Sequence, residues 1–131
     1  MSGSRSLARQ KADEHMKLSD CSFSLPFPDS MLSGHHDVSW RKLRPVKKSH
    51  RELAWAKAKN AKLAIPAFGD VPVHFHFVPP NRLGDRTNYP NRIKPYIDGI
   101  ADALGINDRR FLPSYSFGEP SANNARVEVT I

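Results

Sequence analysis

No run among the 131 residues approaches the roughly 20 consecutive apolar positions that a membrane span requires. The first residues also lack the apolar core of a secretory signal. Cysteine is nearly missing: one residue, Cys21, excludes an intrachain disulfide and a cysteine-based zinc site, as expected of a chain in a reducing cytosol. Acid is scarce, with 13 Asp and Glu against 20 Lys and Arg and a formal charge of +7. Such an excess points to a polyanionic partner, because clustered cations displace counterions from phosphates and steer association. Composition alone does not separate DNA, RNA and acidic lipid. The length suits one domain with its own core.

Residues 1–18, MSGSRSLARQKADEHMKL, are polar and free of aromatics, which predicts a flexible N-terminal extension before a domain over 19–131. In CSFSLPF, Cys21, Phe23, Leu25 and Phe27 alternate onto one face of a strand, and Pro26 restricts that strand to an edge or an end. The run DVSWRKLRPVKK reads as a short strand or an ordered basic arm. Ser49, with Glu52 three residues on, forms a capping box for a helix reaching about Ile65. One side of that helix carries Leu53, Ala54, Ala58, Ala61, Ala64 and Ile65, and the other Lys48, Arg51, Trp55, Lys59 and Lys62.

DVPVHFHFVPP is the clearest strand, with Val71, Val73, Phe75 and Phe77 inward and His74 and His76 outward. The two histidines are either polar residues on a sheet face or a partial metal site without a third ligand nearby in sequence. Between Asn91 and Leu104, residues Ile93, Tyr96, Ile97, Ile100 and Leu104 form one helical stripe, started by Pro90, bent or begun again by Pro95 and stopped by Gly105. FLPSYSFGEP and ARVEVTI read as two closing strands. The order predicts an α+β domain, a mixed β-sheet with two main helices packed on it.

The scarce acid gathers around the second helix, at Asp85, Asp98, Asp102 and Asp108. Asp85 is either a turn residue bonding its own backbone or a group held toward a substrate. Asp108 lies about 20 Å further along the helix axis, so the two meet only if the chain turns back. Asp98, four residues after Lys94, fits a surface ion pair. Asp102 reads as solvated helix surface.

The run DRTNYPNRIKPYIDG, residues 85–99, resembles the signature of the RusA-like Holliday junction resolvases (crossover junction endodeoxyribonucleases), particularly their actinobacteriophage branch. Asp85, Asn88, Pro90, Lys94 and Asp98–Gly99 carry that likeness. GIND at 105–108, FGEP at 117–120, the closing VEVTI and the opening FSLPFPDS extend it over about 23–131. The resemblance implies a homodimeric, magnesium-dependent endonuclease, with manganese as a substitute metal, that nicks opposing strands of a four-way DNA junction in a bacterial or phage-infected cell. It makes Asp85 and Asp108 metal ligands and Lys94 the group at the phosphate or leaving oxygen. Thr87, Asn88, Asn107 and Asp98 support them.

Thr87 and Asn107 stand where the family carries two further carboxylates, so the site has up to two fewer negative charges. A branched-DNA-binding protein that does not cut is therefore the alternative. A basic RNA-binding protein fits the charge but not the acidic loop. For DNA contact the sequence offers Arg41, Lys42, Arg44, Lys47, Lys48, Arg51, Lys59 and Lys62, with Arg82 and Arg86 nearer the scissile phosphate. Trp55 would either stack on the junction or pack at an interface.

Overall fold

Alternation and helical periodicity converge on a four-stranded sheet covered on one face by helices. The computed structural model describes residues 21–34 and 38–131, so the expected extension at 1–18 lies outside the described residues. Among the described residues the strands are β1 (Ser22–Pro26), β2 (Val71–Val78), β3 (Phe111–Phe117) and β4 (Arg126–Thr130). The α-helices are α1 (Trp40–Ala61), the single-turn α2 (Tyr89–Arg92) and α3 (Lys94–Leu104). The sheet order is β1-β4-β2-β3; β4 is antiparallel to both its neighbours, while β2 and β3 run parallel. The fold is therefore α+β with a mixed sheet.

The parallel pair requires a crossover, and α2 and α3 supply it. Val71, Val73, Phe75 and Phe77 of β2 are buried, as are Leu25, Val127 and Val129 of the neighbouring strands. Ile93, Tyr96 and Ile100 pack onto the same core from the crossover. Burying such side chains contributes roughly 1.5 to 3 kcal/mol each. The Tyr96 hydroxyl donates to the carbonyl of Pro26 at 2.6 Å, and burial pushes the phenol well above its ordinary pKa. Pro26 sits at the end of β1, an edge strand, where its missing donor costs no ladder bond. The Cys21 thiol donates to the Ala61 carbonyl at 3.2 Å.

The first long helix corrects the sequence reading at both ends. It begins at Trp40 after an extended Ser39, so DVSWRKLRPVKK contributes most of its first half instead of a strand or arm. Ser49 is mid-helix, with its hydroxyl donating back to the Val46 carbonyl at 3.0 Å. Pro45 lies inside the helix. It removes one backbone bond near the start, a loss the tertiary packing tolerates. Lys62 ends the helix with φ 52°, leaving Ala64 and Ile65 beyond it.

The second helical stripe is interrupted. Ile93 (φ −98°, ψ 4°) separates α2 from α3, where Pro95 occupies the first turn and cannot donate. Gly105 closes α3 in the left-handed conformation at φ 67°. At the α1–α3 crossing Gly99 is a steric requirement: a Cβ there would lie 2.2 Å from the Arg51 carbonyl oxygen and 3.0 Å from the Ala54 Cβ.

Candidate functional site

The loop after β2 turns on Asp85. Its extended backbone precedes a 3-10 turn over Arg86–Asn88, and its carboxylate caps that turn. Oδ1 accepts from the Thr87 amide at 3.0 Å and the Thr87 hydroxyl at 2.7 Å, while Oδ2 accepts from the Asn88 side-chain amide at 3.1 Å. Asp85 thus makes the turn contacts expected of a loop aspartate while its side chain stays at the surface. Arg82, Asp85, Arg86 and Tyr89 line a hollow of about 310 Å³. Arg82 is itself paired with Glu119.

At the other cluster Lys94 opens α3 and gathers two acids. Its Nζ lies 2.9 Å from Asp98 Oδ1, the expected pair one turn along the helix, and it also contacts Asp108 Oδ2. Gly105 and the 3-10 turn at Asp108–Arg110 return the chain, so that Asp108 reaches Lys94 at the start of the same helix. Asn107 caps that turn by accepting from the Arg109 amide at 2.9 Å. The hydrogen bond and charge of Lys94 hold the Asp108 carboxyl below its ordinary pKa. Hydrogen bonds from the ammonium to Asp108 and Asp98 raise the Lys94 value in return.

Asp102 is not simply solvated surface. Arg51 reaches across from α1, its Nε donating to Oδ2 at 2.6 Å and Nη2 to Oδ1 at 3.0 Å. This two-point contact ties α1 to α3 and lowers the Asp102 pKa. Asp85 bonds into its own loop, whereas Asp98 and Asp108 converge on Lys94. Among the described residues, no group of three or more His, Cys, Asp or Glu side chains is placed to hold a metal ion.

The predicted DNA cations do not share one surface. Arg44, Lys47, Lys48 and Arg51 line a groove of about 560 Å³ together with Lys94. Asp98 is the acid in that lining. Arg41, Lys42 and Lys59 are exposed elsewhere on α1, and Lys62 is exposed at its end. Arg82 and Arg86 flank Asp85 in the smaller hollow.

Sequence reasoning did not place Asn91 in the groove, although the start of the crossover presents it there. No spacing signal could have found it. Exposed Trp40 was likewise missed, though its four-residue spacing from Arg44 was available as a clue once α1 was extended. Two other cations serve the fold. Arg92 donates to the Pro28 and Asp29 carbonyls, and Arg110 to those of Gly69 and Pro66.

On the open sheet face, His74 bonds Ser114 Oγ at 2.6 Å and Ser116 Oγ at 2.7 Å, and His76 bonds Ser116 Oγ at 2.6 Å. The histidines therefore form a hydroxyl–imidazole ladder between the parallel strands. His50, inside α1, bonds the Val46 carbonyl and the Asp29 amide and stacks on Tyr96. Donation from Nδ1 to Val46 and acceptance at Nε2 from Asp29 fit one neutral tautomer.

No family model matches the chain. A protein of Xylella fastidiosa (strain Temecula1 / ATCC 700964), described as "Uncharacterized protein", is 38% identical over 114 residues, covering 84% of this chain and 74% of the relative. No described helix is long and apolar enough to cross a membrane.

Proposed function

This chain belongs to the family of the Xylella fastidiosa protein, and we propose that it is a RusA-like, metal-dependent endodeoxyribonuclease that acts as a homodimer on four-way DNA junctions. The observation that carries the reading is Lys94: at the start of α3 it lines a groove rich in cations and also meets Asp108, fourteen residues later. The sequence resemblance assigns those same positions to phosphate and metal chemistry.

The oxygen chemistry of the acids fits a hard divalent cation, and magnesium commonly takes one or two carboxylates while keeping several waters. Asp85 and Asp108 would hold magnesium, or manganese in its place. When bound, the ion supplies polarisation of the phosphate and a water acidic enough to attack it. Thr87 and Asn88 orient the Asp85 carboxylate through their hydrogen bonds. Lys94, kept charged by its two acids, serves a phosphate oxygen or the departing alkoxide. Arg44, Lys47, Lys48 and Arg51 hold the DNA backbone along the groove, while Arg82 and Arg86 flank Asp85. In the homodimer, each subunit nicks one of two opposing strands.

A labelled synthetic four-way junction tests this directly. The protein should convert it to nicked duplex products with magnesium or manganese, and chelator or Asp85→Asn should abolish the reaction. An intact junction after incubation of folded protein with either metal would defeat the proposal.

One observation favours a second reading, binding of branched DNA without cleavage. The carboxylates of Asp85 and Asp108 are already engaged by Thr87, Asn88 and Lys94. That reading expects junction-selective gel shifts that persist in chelator and are unchanged by Asp85→Asn.

A further inference from the structure

Both tryptophans of the chain lie on α1 with much of their surface exposed, Trp40 at 67% and Trp55 at 45%. Burial among the described residues therefore does not explain either ring. Trp40, Arg44, Lys48, Arg51, Trp55 and Lys59 are separated by four, four, three, four and four residues. At 100° per residue they occupy an arc of about 100°, a single stripe along the helix. Arg44 lies over the Trp40 ring at 5.2 Å from its centroid, and Lys59 over Trp55 at 5.8 Å. The first half of the helix, from Trp40 to Arg51, contains no acid. Glu52 sits at the flank of the stripe.

Cations alone would suit the backbone of any nucleic acid. Exposed indoles add a selective element, because a base presents its π-face to a side chain only when it is outside a duplex stack. The rings are about 22 Å apart along the helix, a distance that an unpaired strand, stretching beyond the 3.4 Å per nucleotide of a duplex, crosses in about six nucleotides or fewer. Self-association through this face is opposed by its own run of positive charge.

We propose that this stripe is a track for an unpaired nucleic-acid strand, whose bases stack on Trp40 and Trp55 while its phosphates run along Arg44 and Lys48. The inference rests on the nucleic-acid reading of the groove but not on cleavage. In the junction context, it assigns α1 to strands opened at the branch point.

The test uses the full chain, an oligothymidylate strand and a blunt duplex of equal length. The single strand should quench tryptophan fluorescence, and Trp40→Ala and Trp55→Ala should each weaken its binding about 5- to 100-fold. Trp→Phe should retain most of the affinity, because a smaller π-face remains. Duplex affinity and the salt slope should change little in the tryptophan variants, whereas Arg44→Ala with Lys48→Ala should flatten the slope. Absence of quenching by the single strand would overturn the track, as would equal weakening of both ligands in the alanine variants. Conversion of a dimer to a monomer by Trp40→Ala, seen by sedimentation, would overturn it as well. Junction cleavage without single-strand quenching would sink the track alone. Quenching without cleavage would sink the nuclease alone.

Discussion

At Thr87 the hydroxyl donates to Asp85 Oδ1 at 2.7 Å, so this position already touches the proposed metal ligand. Thr87→Asp replaces that donor with a second carboxylate. Without metal the variant should lose roughly 1 kcal/mol of stability, from the missing hydrogen bond and the new repulsion. Magnesium should reverse the loss, because a third carboxylate beside those of Asp85 and Asp108 adds attraction for the cation, and binding to the folded state stabilises it by linkage. Thermal melting with and without magnesium checks both halves, and junction cleavage should rise in parallel. An unchanged metal response would mean that the loop geometry does not suit the ion.

Asp102 makes a different prediction. Hydrogen bonding by Arg51 lowers its pKa in the folded chain, so its contribution is present above the unfolded carboxylate value and disappears as pH falls through the folded one. Both partners are about half exposed, which limits the pair to roughly 0.5 to 1 kcal/mol. Asp102→Asn should therefore reduce stability by that amount at neutral pH, and the difference from wild type should shrink below about pH 4. Urea titrations across the acid range measure it. A difference independent of pH would assign the effect to packing instead of charge.

Among the elements, the crossing of α1 over α3 positions the groove. Gly99 makes that approach possible, and the obstacle to a larger residue is a backbone carbonyl that cannot rotate away. Gly99→Ala gains up to about 1 kcal/mol of helix propensity but should still destabilise by roughly 1 to 3 kcal/mol, because the helices must separate. Denaturant unfolding provides the test; a more stable variant would show that the crossing relaxes freely.

The elements were unequally legible in the sequence. β2 was readable because strict alternation of Val71, Val73, Phe75 and Phe77 has one structural solution, burial on a sheet face. The start of α1 was not, because Pro45 and the charged run around it carry the local signals of a loop. In α3 the stripe was visible, but its break at Ile93 depends on the conformation imposed beside Pro95.

On the scale of the whole molecule, positive charge and acid are placed with different purposes. The basic side chains of α1 form one wall of a groove, and the acids gather at the crossover from β2 to β3. Composition made the first property visible, since an excess of cations must occupy the surface. It could not reveal that Lys94 draws Asp98 and Asp108 together, or that Arg92 and Arg110 are held by backbone carbonyls. Those assignments depend on how the chain returns after Gly105 and on how its loops seat against the core.

Asp85 and Asp108 are proposed to hold one divalent cation between them. Manganese titration of the full chain, followed by electron paramagnetic resonance, measures this without requiring DNA or turnover. One bound ion per chain is expected, with affinity weakened by Asp85→Asn and by Asp108→Asn alike. Manganese binding unaffected by either substitution would contradict it.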